Sequence, residues 1–146
     1  RPALARQGMA LDFWKIAMRP GKPLIHGSLG QTHILGLPGN PVAAYVCALV
    51  FLAPLIRALQ GDPAAAGDQS ETVIAGVNLP ANKGRRDYMR AKLSTDNQGR
   101  RIATPQPLQD SSLLTELQQS QALLIREPLA PALAAGAPVR ILRLPG

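Results

Sequence analysis

The sequence predicts an α/β domain followed by a small all-β domain. Three observations predict this order: a strand, turn and helix signal over residues 32–60, a polar segment over residues 62–70, and a series of short strand-like segments after it. The polar segment has few side chains to bury and is typical of a linker. We therefore predict domains at residues 1–66 and 71–146.

The strand-to-helix signal is the most informative local pattern. Residues 32–37 form a short apolar strand, and Pro38 and Gly39 are strong turn formers. Asn40 is a favoured N-cap, and Pro41 suits the first helical position. Such a turn presents backbone N–H groups at the positive end of a helix dipole, which attracts anions and phosphates especially. In an α/β sheet, ligands collect at the carboxyl ends of strands, where this turn is expected to lie.

The helix is predicted to run from Pro41 to about Gln60 and to bend near Pro54. It is apolar on nearly every face, so we expect it to be buried. Its longest apolar run, residues 42–56, is shorter than the ~20 residues that a membrane helix needs. The sequence therefore predicts a core helix and no association with a membrane.

The first domain is predicted to contain the tail of a mostly parallel sheet with helices. Before the turn, the candidate strands cover residues 11–18 and 24–27. Residues 19–23 between them form a loop that two prolines and a glycine make irregular.

The second domain is predicted to be a small closed or half-closed β-barrel, because five short strand-like segments follow one another over about 75 residues. Residues 96–99, Asp-Asn-Gln-Gly, suit a hairpin turn, and residues 112–119 suit one short helix. The predicted strands are Glu71–Leu79, Asp87–Ser94, Arg100–Pro105, Ala122–Glu127 and Val139–Leu144.

The composition limits the classes of binding partner and the cellular compartment that we expect. With 16 basic and 9 acidic residues the net charge is +7, which favours phosphorylated ligands, nucleic acid or oxyanions as partners. The basic stretch from Lys83 to Arg101 contains only Tyr88 as an aromatic, so a nucleic-acid site that stacks bases is disfavoured. Cys47 is the single cysteine, and the first residues lack the apolar core of a signal peptide. These observations predict a reducing, cytoplasmic location.

Six short segments carry a family resemblance. They are residues 13–15 (Phe-Trp-Lys), 18–23 (Met-Arg-Pro-Gly-Lys-Pro), 36–42 (Gly-Leu-Pro-Gly-Asn-Pro-Val), 84–90 (Gly-Arg-Arg-Asp-Tyr-Met-Arg), 109–111 (Gln-Asp-Ser) and 135–136 (Ala-Gly). In order and spacing, from about Leu11 to Leu144, the chain resembles the MoeA family. These are the molybdopterin molybdenumtransferases, which share their architecture with the E-domain of gephyrin.

The resemblance implies that the chain is the C-terminal portion of such a protein, with the end of a molybdopterin-binding α/β domain and a C-terminal β-barrel. The implied reaction is the last step of molybdenum cofactor assembly, in which molybdate is inserted into adenylylated molybdopterin and AMP is released. A divalent metal, usually magnesium, assists the reaction, and its ligands would precede Arg1. The resemblance further implies a homodimer of the full-length protein and an inactive or nearly inactive isolated chain.

The resemblance also implies which residues bind the pterin and the anion, and it assigns no metal ligand and no catalytic residue to the chain. Arg19 falls where lysine is usual, which keeps the charge but changes its shape. Asp110 replaces a glycine, and a carboxylate beside an anion pocket is unfavourable unless it is paired or turned away. The implied binding residues are Lys15, Arg19, Lys22, Pro38, Gly39, Asn40, Pro41, Arg90 and Ser111.

Two other function classes remain open at this point. A non-catalytic scaffold, as in the gephyrin branch, would use the same architecture to hold a receptor segment. A basic barrel that binds RNA or DNA would lose affinity steeply with salt. Outside the implied site, His26 and His33 have no cysteine or carboxylate at ligand spacing and are interpreted as structural. Cys47, on an apolar helix, is interpreted as an inert core thiol.

Overall fold

The computed structural model describes residues 5–109 and 114–145 of the chain. The chain forms two compact units, of which the first ends at Ala66 and the second begins at Gly67. The predicted fold class, α/β followed by a β-barrel, is confirmed by the elements described below. The predicted domain limits at residues 1–66 and 71–146, as limits of independently folding domains, stay a prediction.

The first unit contains four short strands. They are β1 (Ala10–Phe13), β2 (Met18–Arg19), β3 (Ile25–Leu29) and β4 (Thr32–Gly36). Three of them form an antiparallel sheet in the order β1-β3-β4. The sequence predicts a mostly parallel sheet, and for these three strands that prediction is wrong. The two-residue turn between Leu29 and Thr32 returns the chain directly beside β3, which only an antiparallel pair allows.

The predicted strand over residues 11–18 is interrupted, because β1 ends at Phe13. The register between β1 and β3 shifts between Leu11 and Phe13, as it does at a β-bulge. Beyond the bulge, the Ile16 amide donates to the Lys22 carbonyl at 3.0 Å. This bond closes a loop over residues 16–22. The chain therefore leaves the sheet after β1, although the apolar residues of the predicted strand continue to Met18.

The helix begins at Pro41 as predicted and ends at Leu59, one residue before the predicted end. It consists of α1 (Pro41–Cys47), a π-helical turn (Ala48–Leu52) and α2 (Ala53–Leu59). Within the π-helical turn, the Ala53 amide donates to the carbonyl of Ala48, five residues earlier. Pro54 follows at once and has no N–H to donate, so the wide turn accommodates the proline ring. The structure thus has a π-helical turn just before Pro54, and the predicted bend there stays a prediction.

The prediction that the whole helix is buried is wrong for its second half. Ile56 is 45% exposed and Leu59 is 64% exposed. Apolar composition shows that burial would be favourable, but it does not show that a covering surface is at hand. Among the described residues, Pro41–Leu59 is the one helical run that could cross a membrane by length and composition, a property shared with core helices. The buried residues all belong to α1 and are Val42, Ala43, Val46 and Cys47.

The second unit is a closed barrel of five strands. They are β5 (Glu71–Ala75), β6 (Arg86–Thr95), β7 (Arg101–Pro105), β8 (Ala122–Arg126) and β9 (Pro138–Arg143). Going round the ring, β6 pairs with β7, β7 with β5, β5 with β9, β9 with β8, and β8 again with β6. The β5–β7 pair is parallel and the others are antiparallel. The predicted barrel is therefore confirmed, and it is closed.

Polar contacts support the ends of the barrel strands. Asp96 in the predicted hairpin turn accepts hydrogen bonds on Oδ1 from the amides of Gln98 and Arg100 at 2.9 and 2.8 Å. On β5, Glu71 lies between Arg143 of β9 and Arg101 of β7, at 2.6 and 2.8 Å. The hydrogen bond from Arg143, with the nearby charge of Arg101, lowers the pKa of the Glu71 carboxyl.

The predicted short helix is present as α3 (Leu114–Gln118). It lies inside the predicted limits, residues 112–119, of which residues 112 and 113 are outside the described residues. The barrel core is aliphatic and draws on all five strands. Its buried members are Val73, Ala75, Leu79, Ala91, Ala103, Ala122, Leu124, Val139 and Ile141.

Replacement of Leu124 by alanine should lower the free energy of unfolding by about 2–5 kcal/mol, because this side chain is fully buried in the barrel core. Urea unfolding followed by circular dichroism measures the change. Leu129→Ala is the matched control, because Leu129 is 77% exposed, and it should change the free energy by less than about 0.5 kcal/mol. Equal stability of the two variants would contradict the assigned core.

The Cys47 thiol should resist alkylation while the protein is folded. Burial raises its pKa from 9.0 to about 11, so little thiolate exists at pH 8. We expect iodoacetamide at pH 8 to label Cys47 slowly in buffer and rapidly in denaturant, as followed by mass spectrometry. Because the folded-state pKa is the higher one, the stability linked to this thiol is constant below pH 9 and is lost as the pH rises toward 11. Rapid labelling of the folded chain would show that the thiol is accessible.

Candidate functional site

The turn at the carboxyl end of β4 is a fully formed helix start. Asn40 has an extended backbone, with φ −75° and ψ 127°, and its Oδ1 accepts a hydrogen bond from the Ala43 amide at 3.1 Å. The Asn40 carbonyl accepts the first intrahelical bond, from the Ala44 amide, at 2.8 Å. The predicted N-cap is thereby confirmed, with Pro41 at the first helical position.

The backbone around Gly39 remains open to a ligand. Among the described residues, neither Gly39 nor Val42 donates its amide to an acceptor. A Cβ placed on Gly39 would meet nothing within 4 Å, so packing within the unit does not require glycine there. Glycine instead leaves the amide edge of the turn accessible to a bulky group. Pro38 on one side is buried and Pro41 on the other is exposed.

The loop over residues 16–22 packs on the same helix. Gly21 has φ +115°, and a Cβ on it would lie 2.5 Å from Cys47 Sγ. Both the backbone angle and the close approach therefore require glycine. The Cys47 thiol donates to the Gly21 carbonyl at 3.9 Å. Since Cys47 is seven residues beyond Asn40, the contact lies about 10 Å along the helix axis from the N-cap.

The three basic residues predicted near the turn are all exposed. Arg19 and Lys22 flank Gly21 in the loop that contacts α1. Lys15 Nζ lies 3.9 Å from the centroid of the Trp14 ring, a cation–π contact. Trp14 is 41% exposed, and the sequence analysis gave it no role of its own. The loop that carries Arg19 and Lys22 therefore contacts α1 through Gly21, and the Lys15 ammonium group lies over the Trp14 ring. The approach of these three side chains to the turn itself stays a prediction.

Arg90 lies on β6 of the second unit and is only 1% exposed. Its guanidinium donates from Nη2 to the Leu108 carbonyl at 3.1 Å. Its backbone carbonyl accepts from the Gln106 amide at 2.8 Å. The segment that follows β7, residues 106–109, therefore contacts both the guanidinium group and the backbone of Arg90. A direct contact of Arg90 with a ligand stays a prediction.

The segment over residues 106–109 is held by the side-chain amide of Gln109. Its Oε1 accepts from the Arg90 amide at 3.0 Å, and its Nε2 donates to the carbonyls of Arg90 and Gln106 at 3.0 and 2.9 Å. No role for Gln109 was predicted from the sequence. A glutamine a few residues beyond a strand end is a weak signal, because its partner lies 19 residues away along the chain.

Ser111 is the remaining predicted binding residue, and it lies outside the described residues together with Asp110. The part that Ser111 takes in binding stays a prediction. The helix cap expected at Ser111 or Ser112 lies outside the described residues as well.

His26 has a carboxylate partner that the sequence analysis missed. Its Nδ1 pairs with Asp12 Oδ2 at 2.7 Å, because the bulge in β1 presents Asp12 toward β3. The His26 ring stacks on Phe13 and on His33, with centroid distances of 5.6 and 5.7 Å. Among residues 5–109 and 114–145, no group of three or more His, Cys, Asp and Glu side chains is arranged to hold a metal ion.

Two polar residues of the second unit support the loop that leads into β6. Asn82 donates from Nδ2 to the Arg85 carbonyl at 2.8 Å. Arg126 is 6% exposed and donates from Nη2 to the carbonyls of Pro80 and Pro131. Neither residue stands out in the sequence. Both satisfy loop carbonyls, so we assign them a structural role.

Comparisons with known proteins bear on both units. Residues 72–144 match the family described as MoeA C-terminal region (domain IV), and residues 1–58 match the family described as probable molybdopterin binding domain. The molybdopterin molybdenumtransferase of Haemophilus influenzae is 34% identical over 131 residues, which cover 90% of this chain and 32% of the relative. That of Synechococcus elongatus is 33% identical over 142 residues, with 95% and 33% covered. The chain spans about a third of the length of these curated relatives.

Solved structures share the fold. The molybdopterin biosynthesis MoeA protein of Pyrococcus horikoshii superposes with a TM-score of 0.77 at 21% identity, covering 99% of this chain and 34% of that one. A molybdenum cofactor biosynthesis protein of Pyrococcus furiosus gives a TM-score of 0.69 at 21% identity, covering 91% and 45%. At these identities the likeness concerns the fold alone. Together with the two family matches and the curated relatives, it confirms the predicted resemblance: the chain belongs to the MoeA family.

Proposed function

We propose that this chain takes part in the last step of molybdenum cofactor biosynthesis, in which molybdate is inserted into adenylylated molybdopterin and AMP is released. Membership of the MoeA family supports this proposal, as do the relatives named molybdopterin molybdenumtransferase. The part we assign to this chain is binding of the anionic pterin and of the oxyanion. Because the chain spans about a third of those relatives, we propose that it has little or no activity alone.

The observation that carries the proposal is the capped turn with open amides. Asn40 fixes the start of α1, and the amides of Gly39 and Val42 are unused among the described residues. Amides at a helix start are fixed partial positive charges, so they hold a phosphate without the entropy cost of ordering a long cationic side chain. The open space over Gly39 admits the phosphate group.

Exposed cationic side chains of the first unit supply the longer-range attraction. Lys15, Arg19 and Lys22 are exposed, so they raise the local concentration of an anionic substrate. Arg19 in place of lysine offers a planar pair of donors that suits two oxygens of one phosphate or molybdate. Arg90, which is buried, and Ser111 complete the proposed set of binding residues.

Magnesium belongs to the proposed reaction, and we assign it no ligand in this chain. In residues 5–109 and 114–145, no group of three or more His, Cys, Asp and Glu side chains is arranged to hold a metal ion. We therefore propose that its ligands belong to other parts of a full-length, homodimeric and cytoplasmic protein, and we derive no step through the metal. The proposal involves neither nucleic acid nor a membrane.

Binding of AMP or molybdate should perturb the turn selectively. We expect ¹H–¹⁵N spectra of the chain, titrated with AMP and separately with sodium molybdate, to show the largest shifts at the amides of Gly39 and Val42. Asn40→Asp should keep the cap acceptor and the fold. It should raise the dissociation constants for AMP and for molybdate by about tenfold or more, because it places a negative charge beside the amides of Gly39 and Val42. Asn97→Asp, in the exposed hairpin turn of the second unit, is the control with the same change of net charge.

Equal affinity of the Asn40→Asp and Asn97→Asp variants for AMP and molybdate would contradict the proposal. Chemical-shift changes spread evenly over all basic residues would contradict it as well.

Asn40→Ala gives a separate check on the cap. It should lower the free energy of unfolding by about 1 kcal/mol, because the Ala43 amide loses its acceptor.

A further inference from the structure

The ladder between β6 and β7 contains an inserted side chain. Their pairing runs from Thr95 opposite Arg101 to Ala91 opposite Pro105. At the next position the Gln106 amide still donates to the Arg90 carbonyl at 2.8 Å. The return bond, from the Arg90 amide, goes to Gln109 Oε1 instead, and Gln109 Nε2 donates to the Gln106 carbonyl. The glutamine amide therefore bridges two backbone groups that an unbroken antiparallel pair would join directly.

Only a primary amide can make this set of bonds. One oxygen accepts from the Arg90 amide, while the two N–H bonds of Nε2 serve the carbonyls of Arg90 and Gln106. A carboxylate has no hydrogen to donate and would face both carbonyls with negative charge, and a methionine could neither donate nor accept strongly. The opposite orientation of the amide would set its oxygen against two carbonyl oxygens, so the network itself determines the orientation.

The same segment also receives the guanidinium of Arg90, through the Leu108 carbonyl. Gln109 thus sets the path of residues 106–109, and this path carries the acceptor that directs the arginine side chain. We propose that Gln109 is a positioning residue for Arg90, which holds the buried guanidinium in the place where its charge serves anion binding. This inference rests on the proposed function, since it takes Arg90 to be part of the anion site.

A double-mutant cycle on the full chain tests the inference. The variants are Arg90→Met, Gln109→Met and both together, with Gln98→Met as the matched control at an exposed glutamine. The dissociation constant for AMP is measured by calorimetry, at a temperature where circular dichroism shows every variant folded. We expect each single change to weaken binding about tenfold and the double change to weaken it little further, because Gln109 acts through Arg90.

If the Gln109→Met variant does not fold, AMP binding is measured on Gln109→Asn and Gln109→Glu instead. Asparagine retains the primary amide and should restore part of the affinity, whereas glutamate should not, although it matches glutamine in size. The Arg90 Nε–H signal in ¹H–¹⁵N spectra should shift on addition of AMP in the parent chain and not in Gln109→Glu.

The outcomes separate this inference from the proposed function. If AMP does not bind the parent chain, the proposed function fails. If AMP binds and Arg90→Met leaves the affinity unchanged, Arg90 is not part of the site and the inference is overturned, while the turn stands. If Gln109→Met leaves the affinity unchanged, or if its effect adds fully to that of Arg90→Met, Gln109 does not act through Arg90.

Discussion

Backbone groups at the ends of strands need partners once the ladder stops, and in this chain side-chain amides supply them. Asn40 caps the helix that follows β4, Asn82 supports the loop between β5 and β6, and Gln109 replaces a missing ladder bond beyond β7. A primary amide suits this task because it donates and accepts within one plane. The backbone beside each of these three side chains is thereby held in one conformation. Asn40 and Gln109 lie next to residues that we propose to bind the anion.

The elements that the sequence predicted well depend on local chemistry. The turn from Pro38 to Pro41 combines turn formers, a cap and a helix-start proline at consecutive positions, so four neighbouring residues determine its backbone. The barrel strands were predicted as short strand-like segments separated by turn signals such as residues 96–99. The errors concern contacts between distant residues. The bond from Ile16 to Lys22 ends a strand that alternation would extend, and the exposure of Leu59 depends on surfaces that the local pattern does not describe.

In the candidate site, too, the features set by neighbouring residues could be predicted and those set by distant contacts could not. Its turn could be predicted from neighbouring residues, and the structure adds the open space over Gly39. Arg90 could be named from the family resemblance, but its burial could not be foreseen, because arginine is ordinarily a surface residue. Its guanidinium group donates to the Leu108 carbonyl, and the Gln109 side chain holds the backbone that carries this acceptor. The pairing of Asp12 with His26 escaped notice for a similar reason, since it needs the bulge in β1.

The order of strands in the barrel has a consequence for biosynthesis. β5 is the first strand of the ring along the chain, yet one of its two neighbours is β9, with Glu71 opposite Ile141. A ribosome delivers the chain from its N-terminus, so β5 emerges long before β9 can cover it. Throughout that interval the nascent unit carries an unpaired strand edge, which can join a neighbouring chain on the same polysome. Closure of the ring therefore comes late in synthesis, and chaperones that shield strand edges are expected to raise the yield of the closed barrel.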